Sequence, residues 1–128
     1  MAQRLPPEVE QLVVKYQQVE QQLASVLTQK SVVVSQIKEI DRALNVLNSV
    51  KPETEVFKNT GFALIKVPRD DVIKELNERR EELQIRLTSL EKMESLLRKQ
   101  LDDIRGRLDK YRTGLYAPKT AGQKGSTS

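Results

Sequence analysis

The chain has 128 residues, 31% of them charged and 4% aromatic, with no cysteine, no histidine and a formal net charge of +4 at pH 7. Without Cys or His there is no disulfide framework and no thiolate or imidazole metal site, and little is left for general acid–base catalysis. High charge with few aromatics fits long, solvent-bathed helices in one domain rather than a thick globular core, and no apolar run approaches the roughly 20 residues of a membrane span.

The chain opens on Leu5-Pro6-Pro7-Glu8. Residues 1–7 do not read as a signal peptide, so a soluble intracellular protein is expected. Proline is tolerated in a first helical turn because its missing N–H has no partner there, and Glu8 and Glu10 sit where the helix dipole favours negative charge. From there apolar residues recur at Val9, Leu12, Tyr16, Val19, Leu23, Val26, Val33, Ile37, Ile40, Leu44 and Leu47, with Lys30 filling the remaining step of an unbroken 3–4 spacing. That is a coiled-coil repeat, and it predicts a helix over about residues 7–49. Val13, Leu27 and Val34 flank the seam and widen it. Asn48, Ser49 and Pro52 end the helix.

The next stretch, about residues 54–67, reads as a β-hairpin. Glu55 to Lys58 and Phe62 to Val67 are rich in β-branched and aromatic residues, and Lys58-Asn59-Thr60-Gly61 is turn chemistry between them. Gly61 suits a positive backbone φ, and Pro52 and Pro68 keep helix out of the unit. In the second strand Phe62 and Leu64 fall on one face, and Ala63, Ile65 and Val67 on the other. Both faces are apolar, and a lone two-stranded hairpin is marginal in water, so its edges and faces call for another chain.

A second helix is expected over about residues 70–112, with Asp70 or Asp71 as N-cap. Its seam runs Ile73, Leu76, Arg80, Leu83, Leu87, Leu90, Glu94, Leu97, Leu101, Ile104, Leu108 and Tyr111, again at unbroken spacing, with Arg80 and Glu94 as polar breaches. Gly106 falls on the outer face, and Thr113-Gly114 is the expected stop. Residues 113–128 then read as a flexible basic tail. From Arg112 on, Arg112, Lys119 and Lys124 supply three of the four net positive charges. The body is therefore nearly balanced, and the basic stripe of a nucleic-acid-binding protein is missing. Equal numbers of seam positions around a short insert predict an antiparallel two-helix coiled coil with the β-hairpin at its bend, one domain over residues 1–111, with both termini at the far end.

No catalytic constellation emerges, and the chain is not expected to be an enzyme. Gly61 and Gly106 do not form a phosphate-binding loop. Asp70-Asp71, Glu81-Glu82 and Asp102-Asp103 read as helix ends and solvated faces, and Arg98, Lys99, Arg105 and Arg107 alternate with acids. Apolar residues crowd the far ends: Leu5, Val9, Leu12 and Val13 from the first arm, Leu108, Tyr111, Leu115 and Tyr116 from the second. They cannot all be buried in a two-helix coil, and exposed apolar clusters mark interaction sites. Val9, Leu12, Leu108 and Tyr111 fit seam packing equally well.

Three features together resemble the β class of the prefoldin family over residues 5–111. They are Leu5-Pro6-Pro7-Glu8-Val9 leading into a first arm with Gln17-Gln18 and Gln21-Gln22, the bend Glu55-Val56-Phe57-Lys58 with Gly61 and Leu64-Ile65-Lys66, and the restart Asp70-Asp71-Val72-Ile73-Lys74-Glu75-Leu76. A single hairpin resembles the β class; the α class has two. The resemblance implies an ATP-independent cytosolic chaperone without cofactor or metal. It also implies a hexamer of two α-class and four β-class subunits, whose hairpins join in a β-barrel platform. Unfolded clients are then held at the coiled-coil tips and passed to a group II chaperonin. On this resemblance Val56, Phe57, Gly61, Phe62, Leu64, Ile65 and Val67 are assembly residues, and the end residues named above are client-binding. The alternative is a spacer or tether that oligomerises through its hairpin and presents its arms to one folded partner.

Overall fold

The computed structural model describes residues 5–116, with side chains through Gly114. In chain order the elements are helix α1 (Pro7–Ser49), strand β1 (Val56–Asn59), strand β2 (Leu64–Val67) and helix α2 (Arg69–Tyr116). Two long helices thus flank a two-stranded antiparallel hairpin.

The ends of the helices follow from local chemistry. The Pro6 carbonyl accepts from the amides of Val9 and Glu10, each at 3.0 Å, and closes the first turn of α1. At the other end Ser49 Oγ donates to the Val46 carbonyl at 2.8 Å, and Pro52 follows. Helix α2 begins directly after Pro68, whose carbonyl accepts from the Val72 amide at 3.3 Å. Asp70 and Asp71 therefore lie inside the first turn instead of forming the expected N-cap. They still face the positive end of the helix dipole. The expected stop at Thr113-Gly114 also fails, because α2 continues to Tyr116. Among the described residues only Gly61 has a positive φ, so Gly114 propagates the helix and does not cap it in the left-handed conformation. Residues 113–116, expected as the start of the tail, are helical; the rest of the tail lies outside the described residues.

The described residues fall into two compact units, one of residues 27–92 and one drawn from residues 5–26 and 93–116. In the first, the C-terminal part of α1 packs along the N-terminal part of α2 next to the hairpin. Its buried side chains are Val33, Ile37, Leu44, Leu83 and Leu90. In the second, the opposite parts of the same helices bury Val9, Val19, Leu23, Val26, Leu97, Leu101 and Ile104. Every buried hydrophobic residue among those described occupies a seam position, so the heptad spacing alone locates the core. The remaining seam positions, including Lys30, Arg80 and Glu94, are half-buried.

The polar breaches of the seam are resolved by side chains. In the first unit Arg80 grips Asp41 of α1 with two hydrogen bonds, Nε to Oδ1 at 2.6 Å and Nη2 to Oδ2 at 3.3 Å. Arg86 donates to Gln29 Oε1 at 2.8 Å, and Arg69 Nε donates to the Leu47 carbonyl at 2.7 Å. In the second unit Glu94 accepts from Arg98 one turn on, at 3.0 Å. There Arg105 donates to the Tyr16 hydroxyl at 2.9 Å and lies 5.9 Å from that ring's centroid. Arg105 is thus more than a solvated charge: it covers the edge of the seam with both a hydrogen bond and a cation–π contact.

Candidate interaction surfaces: the hairpin and the helix ends

The hairpin pairs Val56 with Val67, Phe57 with Lys66, Lys58 with Ile65 and Asn59 with Leu64. Directly paired residues share a face. One face therefore carries Val56, Lys58, Ile65 and Val67, and the other carries Phe57, Asn59, Leu64 and Lys66. Regular pairing stops at Leu64, so Phe62 belongs to the connecting loop and not to the strand face expected for it. The loop explains why. The Thr60 amide donates to the Ala63 carbonyl at 3.0 Å, and the Thr60 hydroxyl contacts Ala63. Asn59 Oδ1 accepts from the Gly61 amide at 2.9 Å, and Gly61 turns at φ 93°. A turn this tightly bonded leaves Phe62 at its apex, fully exposed.

The apolar residues of the hairpin are not covered. Phe57 is 53% exposed, Leu64 69% and Ile65 49%, while Val56 and Val67 are half-buried. Among the described residues the sheet has two strands, so both strands keep an outer edge with no strand beside it. Uncovered apolar faces and open ladder edges on one short unit make an adhesive surface. Within the unit, Lys66 Nζ holds Glu55 at 3.1 Å and Lys58 Nζ reaches Glu75 of α2 at 2.7 Å.

The helix ends separate residues that heptad spacing groups together. Val9 is buried, which is seam packing. Leu12, Val13, Leu108 and Tyr111 are half-buried, and Leu5 is 44% exposed. The side chains of Leu115 and Tyr116 lie outside the described residues. Val14, not singled out from the sequence, is 52% exposed on the outer side of α1. Its signal is present in the spacing: it stands midway between the seam positions Leu12 and Tyr16, where an apolar residue has no partner helix to meet. Met93 and Leu96 of α2 are exposed apolar residues of the same kind.

Little else offers chemistry. Among the described residues no group of three or more His, Cys, Asp or Glu is placed to hold a metal, and no helix is long and apolar enough to cross a membrane. The buried side-chain polar atoms described all have hydrogen-bond partners.

Comparison with known proteins matches this architecture closely. The sequence model of a family described as "Prefoldin subunit" matches residues 10–114. The chain is 36% identical over 116 residues to a prefoldin subunit beta of Saccharolobus islandicus, covering 91% of this chain and 92% of that protein. It is 36% identical over 122 residues to the prefoldin subunit beta of Sulfurisphaera tokodaii, covering 95% and 97%. Among solved structures, the crystal structure of the prefoldin beta subunit from Thermococcus strain KS-1 superposes with a TM-score of 0.79 at 28% identity, covering 91% of this chain and 99% of that one. The hairpin and all but the outermost residues of the two helices fall inside the family match, and the chain belongs to the prefoldin family, in its β class.

Proposed function

We propose that the chain is a subunit of an ATP-independent holdase of the cytoplasm. It assembles through its hairpin with α-class prefoldin subunits and further β copies, as an α2β4 hexamer on a β-barrel platform. It holds unfolded polypeptides at its helix ends and passes them to a group II chaperonin. The observation that carries this reading is the match to β-class subunits through both helices and the hairpin together. The uncovered Phe57, Phe62, Leu64 and Ile65 support the assembly step, with Val56, Gly61 and Val67 framing them. Leu5, Leu12, Val13, Leu108 and Tyr111, none of them fully buried, support the holding step, together with Leu115 and Tyr116 by position. Val9, also expected there, is buried and packs the seam, so it lends the holding step no exposed surface.

The physics of such a device is multivalency. Each end offers a small apolar patch that grips an unfolded chain weakly; several on one platform grip it tightly through effective concentration. Weak single contacts also let go without nucleotide. No step needs a bond made or broken, so the role is binding and not catalysis.

The experiment that separates the two steps is truncation to residues 13–107. The shortened chain should still co-assemble with the α-class subunit of the same organism, and its assembly should lose most of its power to suppress aggregation of a denatured protein. Undiminished suppression would remove the helix ends from the holding step.

A further inference from the structure

Lys58 leaves the hairpin from the same face as Val56, Ile65 and Val67, and its ammonium meets Glu75 Oε1 of α2 at 2.7 Å. Among the described residues this is the one hydrogen-bonded side-chain tie from a strand of the hairpin to a helix. Of the two strands only the pair at the base, Val56 and Val67, is half-buried; beyond it both faces are exposed, so the ion pair is what sets the Lys58 face apart from the Phe57 face. The hairpin has little else to fix its angle, because beyond the Val56–Val67 pair its residues are exposed. We infer that Lys58–Glu75 is a positioning pair. It ties the hairpin to α2 through Lys58 and so fixes the angle at which the uncovered Phe57, Leu64 and Ile65, with Phe62 at the apex, meet the hairpin of another prefoldin subunit.

The inference rests on the proposed assembly through the hairpin and adds to it the pair that sets the hairpin's angle. Both partners are about half exposed, at 49% and 58% of their side chains, so the pair contributes little to folding. Its effect lies in removing one freedom of the hairpin before the partner arrives, as preorganisation does.

The test uses the full chain and the α-class subunit of the same organism, with assembly titrated by native mass spectrometry and melting followed by circular dichroism. Lys58→Met and Glu75→Gln should each weaken assembly, by about five-fold, with melting of the isolated chain unchanged. The exchange Lys58→Glu with Glu75→Lys should recover most of the loss. If Lys58→Met weakens assembly while Glu75→Gln does not, Lys58 touches the partner directly and the positioning role is overturned. That role is overturned equally if the exchanged pair is no better than the single variants. If both single variants match the parent chain, the pair has no role although assembly through the hairpin stands. Failure of the parent chain to assemble at all would remove both readings.

Discussion

Arg80 sits on a seam position, where an apolar side chain is the rule, and is held there by Asp41 across the helix pair. The Asp41 carboxyl lies below its ordinary pKa, chiefly because Arg80 hydrogen-bonds its charged form; partial desolvation opposes this and the Arg80 charge adds to it. A depressed carboxylate pKa stabilises the fold above its unfolded value, about 3.9, and that contribution is lost as pH falls through the folded value. Asp41→Asn should therefore melt at a lower temperature than the parent chain at pH 7, and the gap should close on acidification below pH ~4. Melting curves of both chains across that range check it; a gap that persists in acid would mean the carboxylate charge is not what matters. Gly106 gives the opposite kind of residue-level effect. It lies in the interior of α2 with open space where a Cβ would stand. Gly106→Ala should raise stability by roughly 0.5–1 kcal/mol, read as a shift in the denaturation midpoint.

At the scale of elements, two kinds of code are at work. The helices are written in spacing: 3–4 alternation fixes which residues face inward, and every buried hydrophobic residue described obeys it. Leu90, 2% exposed, is the deepest of them together with Val19. Leu90→Ala should cost about 2–5 kcal/mol in chemical denaturation, since it leaves a cavity as well as removing apolar contact. The hairpin is written in turn chemistry and β-branched residues, and its extent is legible to within two residues. Its loop is not: alternation assigns Phe62 to a strand face, while Thr60 and Asn59 close a bonded turn that lifts it out. The N-terminus of α2 escapes sequence rules for a related reason. A carbonyl, that of Pro68, opens the helix, and side-chain rules look for a capping Asp. Ion pairs such as Lys58–Glu75 and Arg80–Asp41 join residues far apart in the chain, so no local pattern announces them. Their partners follow only from how the elements are set against each other.

At the scale of the whole molecule, the assignment to the β class of prefoldins rests on a match that takes in nearly the entire chain. The residues proposed to act are less legible than the fold. Spacing distinguishes seam from surface, yet it cannot tell a seam residue that stays covered at a helix end, as Val9 does, from one left half open, as Leu12 and Tyr111 are. Exposed Val14 shows the complement: an apolar residue off the seam carries the clearer signal. Both the outlying apolar residues and the hairpin leave apolar side chains exposed.

At the centre of this reading, the assembled protein holds unfolded chains without nucleotide. The measurement that tests it most directly takes the native complex, purified from its own source through a tag on this chain. It follows by light scattering the aggregation of a chemically denatured protein diluted into buffer free of ATP. Suppression that grows with the concentration of the complex is the predicted result. Scattering unchanged by an intact oligomer would contradict the holdase reading and leave the chain as a tether that presents its arms to one folded partner.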